Sequence, residues 1–173
     1  LIIFPAISFS QIKYKIKFDP EKLKLKTTGD FTKIFLGNCD IIRRIGAPQL
    51  PVFPVKILIP ENSEYCGFEL KIINKKLIYI DKPIYPVQKP WILSQIQNKN
   101  QQIPFIAPDS ALYRKSVFPE ELVSFSGTDY LDNRQIANFL VHPVVYYPGK
   151  KQLIFYNNIE LSVFYKNRGL IKR

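Results

Sequence analysis

Apolar and polar residues alternate with a period of two along most of this chain, the mark of strands with one buried face. Ile12, Tyr14, Ile16 and Phe18 fall on one side and Lys13, Lys15 and Lys17 on the other, until Asp19-Pro20 ends the run. Leu23 and Leu25 repeat the pattern. "TTGD" predicts a turn, and "FTKIFL" a strand that stops at "GNCD". A proline-punctuated approach, "IGAPQLP", leads into a strand from about Val52 to Ile59, and "ENSE" turns the chain. Cys66, Phe68, Leu70 and Ile72 alternate in a further strand, and "KLIYI" predicts another. After an irregular stretch, "ELVSF" is a short strand and "SGTDYLDN" a turn or bulge. Arg134 to Val145 is mostly apolar and predicts one long central strand. "YYPGKKQ" turns it, "LIFY" returns, and "NN" turns the chain again. Ile159, Leu161, Val163 and Tyr165 then alternate on one face.

About eight to ten short antiparallel strands with turn signals this regular predict an all-β domain, a β-sandwich or a barrel. The composition agrees. There are 14 prolines against 7 glycines, which break helices and bound strands. A length of 173 residues suits one domain with a real core. No internal repeat is visible.

One segment departs from the pattern. Lys82 to Phe118 holds five prolines around a Gln/Asn-rich middle, with a short helix predicted from Trp91 to Asn98. A stretch this long without strands in a compact domain is functional or disordered. At the other extreme, "LIIFPAISFS" is a short apolar run ending in small residues. It is expected to be the tail (residues 1–10) of a truncated secretory signal peptide, cut after Ser10. The alternative is a buried first strand. The signal reading implies export through the periplasm to a secreted or cell-surface location, with no membrane association once the signal is removed. Residues 11–165 then form the β domain and 166–173 a basic mobile tail.

The net charge of +11 admits nucleic acid, an acidic membrane or an acidic protein as partner. Most lysines, however, sit on the wet face of half-buried strands, and no stacking motif interleaves them. Nucleic acid is therefore not expected. Cys39 and Cys66 fit an oxidising compartment, and a disulfide between them is a possibility that spacing cannot decide. Two thiols and one histidine are too few for a structural zinc site, and no glycine-rich loop cradles phosphate. No metal or cofactor is expected. His142, the single histidine, lies in the most apolar strand and is expected to be structural. No local motif makes a Cys–His dyad of it with Cys39 or Cys66. The chain is expected to be non-catalytic.

Four stretches, in order, resemble the N-terminal propeptide of gingipain-type, caspase-like cysteine peptidases. They are "GAPQLPVFPVKILIPENSE" from Gly46, "IYPVQKP" from Ile84, "YRKSVFPEELV" from Tyr113, and "VHPVVYYPGKKQLIFYNNIELSVFY" from Val141. Together they span about Gly46 to Tyr165. The resemblance implies a β-sandwich-like pro-region that assists folding of a following catalytic domain, absent from this chain, and keeps it latent until proteolysis. It implies the cognate peptidase domain as partner. In family members with basic specificity a basic side chain can fill the primary specificity pocket, which points to Arg114, Lys115 or Lys99 in the irregular segment. Arg114 is favoured because its planar guanidinium pairs bidentately with a carboxylate. Processing would fall at Arg168, Lys172 or Arg173. Two rivals remain at this stage: a cell-surface β-sandwich adhesin or carbohydrate-binding module, with Trp91 and the tyrosines lining a sugar site, and a basic nucleic-acid-binding barrel.

Overall fold

The computed structural model of the protein describes residues 10–90 and 104–167. The strands are β1 (Ser10–Lys17), β2 (Leu23–Thr28), β3 (Phe31–Leu36), β4 (Asp40–Ile41), β5 (Pro51–Leu58), β6 (Ser63–Tyr79), β7 (Val123–Leu131), β8 (Arg134–Val141), β9 (Val144–Tyr147) and β10 (Gln152–Asn167). A short helix, α1 (Ser110–Tyr113), lies between β6 and β7. In the first sheet β10 is central: β1 and β9 pair with it in turn on one side, and β6 runs along the other. The second sheet runs β4-β5-β8-β7, and β2-β3 is a separate hairpin. Every strand pairing is antiparallel.

The alternation seen in the sequence explains the layers. Ile159, Leu161 and Val163 of β10 and Ala137, Phe139 and Val141 of β8 are all buried. Aromatic rings join the two sheets. Phe139 of β8 meets Phe68 of β6 edge-on at 5.3 Å between centroids, and Tyr65 of β6 stacks on Phe125 of β7 at 4.4 Å. Gln135, buried in β8, accepts a 2.7 Å hydrogen bond from the Tyr65 N–H, so one end of β6 is tied to the opposite sheet. The sheets are open, which makes the fold a sandwich and not a barrel.

Four local expectations are corrected. Cys66–Ile72 and "KLIYI" belong to one 17-residue strand. Likewise Asn157-Asn158 does not turn the chain, because β10 continues for 16 residues. Both differences share a cause: the register shifts between Phe155 and Asn158, where Asn158 faces Asn74, so a bulge absorbs the polar residues of both strands. β7 also outlasts "ELVSF". It bulges near Gly127, at φ +117°, and turns only at Asp132-Asn133, whose φ angles of 48° and 62° suit a tight hairpin. Finally, Arg134–Val145 is not one strand. It breaks at His142-Pro143, where the chain leaves the second sheet and joins β10 in the first. Pro143 has no N–H to give to a ladder, and its carbonyl accepts from Tyr156 N–H instead.

Candidate functional site

The irregular segment is fastened at both of its described ends. On the way out, Ile84 lies in a parallel bridge with Thr32, and Val87 N–H donates to the Ala47 carbonyl at 2.8 Å. On the way back, the Gln88 side chain binds Ile106 twice: its Oε1 accepts from Ile106 N–H at 2.8 Å, and its Nε2 donates to the Ile106 carbonyl at 3.0 Å. Phe31, Tyr85 and Phe105 pack as a ring trio beside this clasp, with the Lys33 ammonium 4.0 Å from the Tyr85 centroid. Paired amide groups of this kind stand in for a strand pair where the prolines forbid one.

The returning chain then forms α1. Asp109 caps it, accepting from Ala111 N–H at 2.9 Å and Leu112 N–H at 3.3 Å. The same carboxylate lies 3.7 Å from the Arg44 guanidinium, and Asp109 N–H donates to the Gly46 carbonyl. Gly46 has φ +77°, a left-handed conformation that favours glycine, while a Cβ there would meet Asp109 only at ordinary contact distance, 3.5 Å. At the far end Leu112 is buried and the Tyr113 hydroxyl donates to the Ile84 carbonyl at 2.6 Å. Burial, then the neighbouring Tyr146, pushes the Tyr113 hydroxyl well above the usual tyrosine range. Phe118 and Tyr146 exchange both backbone hydrogen bonds. The segments that begin at Gly46, Ile84, Tyr113 and Val141 thus meet around one short helix.

Arg114 follows that helix directly. It is exposed and makes no ion pair among the described residues. Lys115 is engaged instead: its ammonium binds the Glu120 carboxylate, which holds Glu120 below the usual carboxylate range. Lys99, Arg168, Lys172, Arg173 and the helix expected from Trp91 to Asn98 lie outside the described residues.

The propeptide family model Propeptide_C25 matches residues 6–170. The chain belongs to the C25 propeptide family. It is the pro-region of a gingipain-type cysteine peptidase precursor. Two solved structures share the fold of this propeptide. One, described as giving structural insight into zymogenic latency of gingipain K from Porphyromonas gingivalis, superposes with a TM-score of 0.68 at 19% identity, covering 96% of each chain. The other, the complex of Porphyromonas gingivalis RgpB pro- and mature domains, gives 0.66 at 21% identity, covering 90% of this chain and 77% of that one. No curated protein matches the chain.

Elsewhere in the propeptide, two grooves meet at His142. The larger, about 330 Å³, is lined by Ile41, Ile42, Val52, Pro54 and Leu140 between Asp40 and Arg43. The second, about 270 Å³, is more polar and includes Arg44, Lys115, Glu120, Glu121 and Ser124. The His142 Nδ1 is buried without a hydrogen-bond partner, and burial pulls the imidazole down to about 4. Cys39 is half-buried, and burial and then the Asp40 charge push its thiol up to about 11, so the nucleophilic thiolate is scarce at neutral pH. Cys66 Sγ donates to the Glu64 carbonyl. Both cysteines are free thiols in this structure; Cys39 follows the β2-β3 hairpin and Cys66 lies in β6, strands that do not pair. Among the described residues no group of three acidic, histidine or cysteine side chains could hold a metal ion.

The half-buried His142 imidazole is expected to make stability pH-dependent. Below about pH 6.5 the unfolded chain takes up the His142 proton first, while the folded form stays neutral until about 4. The stability present above pH 6.5 is therefore expected to fall as pH drops towards 4, by ~3 kcal/mol at most. Urea midpoints measured across that window should decline in the wild type and decline less in His142→Gln. Identical slopes in the two proteins would show that other groups carry the effect.

Asp109, Arg44, Gly46 and Gln88 were not singled out from the sequence. Asp109-Ser110 ahead of "ALY" is a helix-start signal that could have located α1. The reach of Gln88 to Ile106 has no local signature.

Proposed function

We propose that this propeptide holds its cognate gingipain-type peptidase latent and assists its folding in an exported precursor, with Arg114 occupying the primary specificity pocket. The observation that carries the assignment is the pairing pattern at the end of α1. Lys115 is bound to Glu120, while Arg114 stands exposed with no ion pair among the described residues. α1 is short, but its cap, the buried Leu112 and the Tyr113–Ile84 bond hold it in place. A cation presented from a fastened element loses little conformational freedom on binding, which favours tight, slow-dissociating inhibition. Its guanidinium would meet a pocket carboxylate through two parallel hydrogen bonds. A stable latent complex needs about 800 Å² of buried surface on each partner, so the sandwich around α1 would contribute as well. The latency described for gingipain K and the RgpB complex of pro- and mature domains support this reading by analogy of family and fold. Proteolysis at Arg168, Lys172 or Arg173 would release the enzyme.

The test uses the purified domain and the mature peptidase domain of the same precursor. Added in slight molar excess, the domain is expected to abolish peptide cleavage, and a protease that degrades the domain should restore it. Full activity in the presence of excess folded domain would refute the proposal.

A further inference from the structure

The β6 strand is an edge of the first sheet. Its only strand partner among the described residues is β10. Alternate N–H and C=O groups along an antiparallel strand point away from its partner, so half of the β6 groups face outward. The first part of that edge is covered: Tyr65 N–H is taken by Gln135 and the Tyr65 ring by Phe125. The rest is open. From Lys71 to Tyr79 every residue but Ile78 is exposed, including Ile72 at 44%, Ile73 at 46%, Leu77 at 46% and Tyr79 at 71%. The stretch contains no proline and no acidic residue. Edge strands with apolar side chains this exposed are templates for another strand.

Charge selects which strand. Lys71 lies in a cross-strand row with Glu160 and Lys15, so one acid already stands beside it. Lys76 is opposite Phe155, and Lys75 falls at the bulge, so neither has a facing acid in the register. A second copy is a poor occupant. Antiparallel self-pairing centred on Asn74 would set the two Lys75 residues two positions apart and the two Lys76 residues four apart across the seam, between chains that each carry +11. An acidic strand meets neither obstacle. We propose that the open edge of β6, from Lys71 to Tyr79, docks an extended acidic segment of the partner peptidase as an added strand. Backbone hydrogen bonds would hold it, Lys75 and Lys76 would select its charge, and Ile73, Leu77 and Tyr79 would cover its apolar side chains. The identity of the partner rests on the latency reading; the chemistry of the docked strand does not.

The experiment uses the full chain and two synthetic nine-residue peptides, one alternating glutamate with valine and one alternating lysine with valine. The acidic peptide is expected to bind and to slow amide hydrogen exchange within Lys71–Tyr79, and the lysine peptide to do neither. The Lys75→Glu/Lys76→Glu variant, altered only at exposed positions, should weaken binding of the acidic peptide about tenfold or more. No binding, protection elsewhere in the chain, equal binding of both peptides, or a dimer that masks the same amides would each overturn the proposal. Inhibition of the peptidase by a chain that fails to bind the acidic peptide would overturn it while leaving the latency reading intact. Peptide binding without inhibition would remove the peptidase as the occupant.

Discussion

Phe139→Ala is expected to destabilise the domain by about 3–5 kcal/mol, a large part of the roughly 5–15 kcal/mol available to a domain. Phe139 is 1% exposed at the middle of β8, the strand that joins β5 to β7. Its ring touches Phe68 and Tyr65 of the opposite sheet and Phe125 of its own. Truncation removes the transfer energy of a whole ring and leaves a cavity that three neighbours cannot fill without moving. Phe125→Ala, at a position 39% exposed, should cost much less, since water already reaches that ring. Urea unfolding of both variants measures the difference. A loss below about 1 kcal/mol for Phe139→Ala would mean that the sheets do not depend on this contact.

Arg114→Ala is expected to weaken inhibition of the cognate peptidase by about 30- to 1000-fold, the effect of removing one partner of a buried charge pair at an interface. The melting temperature should not change, because Arg114 is exposed and makes no ion pair among the described residues. Lys115→Ala provides the comparison. It breaks an exposed pair with Glu120, worth little in itself, and should change inhibition by less than about fivefold. Arg114→Lys should fall between the two, because an ammonium keeps the charge but loses the bidentate geometry. If Lys115→Ala proved the more damaging substitution, the pocket residue would be Lys115; if neither mattered, the specificity pocket is filled from elsewhere.

The difference between these neighbours shows where sequence reasoning ends. Both are basic, adjacent and within the same irregular stretch, and nothing local separates them. Glu120 does so, by folding back onto Lys115 past the Phe118–Tyr146 bridge. The clasp around α1 has the same character. Gly46, Gln88 and Asp109 are far apart in the chain, and their roles exist only because Ile84–Val87 runs beside Ala47. His142, expected from its apolar run to be structural, has its Nδ1 buried and unbonded.

What the residues settle unaided is the period. A two-residue alternation broken by proline and turn signals commits the chain to antiparallel strands, and stretches such as "FTKIFL" become strands with the bounds their pattern predicts. Family membership was legible too, because four short stretches in a set order are a local property. Pairing across the chain decided the rest. Whether "NN" turns or bulges, whether β6 is one strand or two, and where the apolar run around His142 changes sheet all depend on which strand lies alongside. A backbone hydrogen bond to a distant residue outweighs a weak local turn preference.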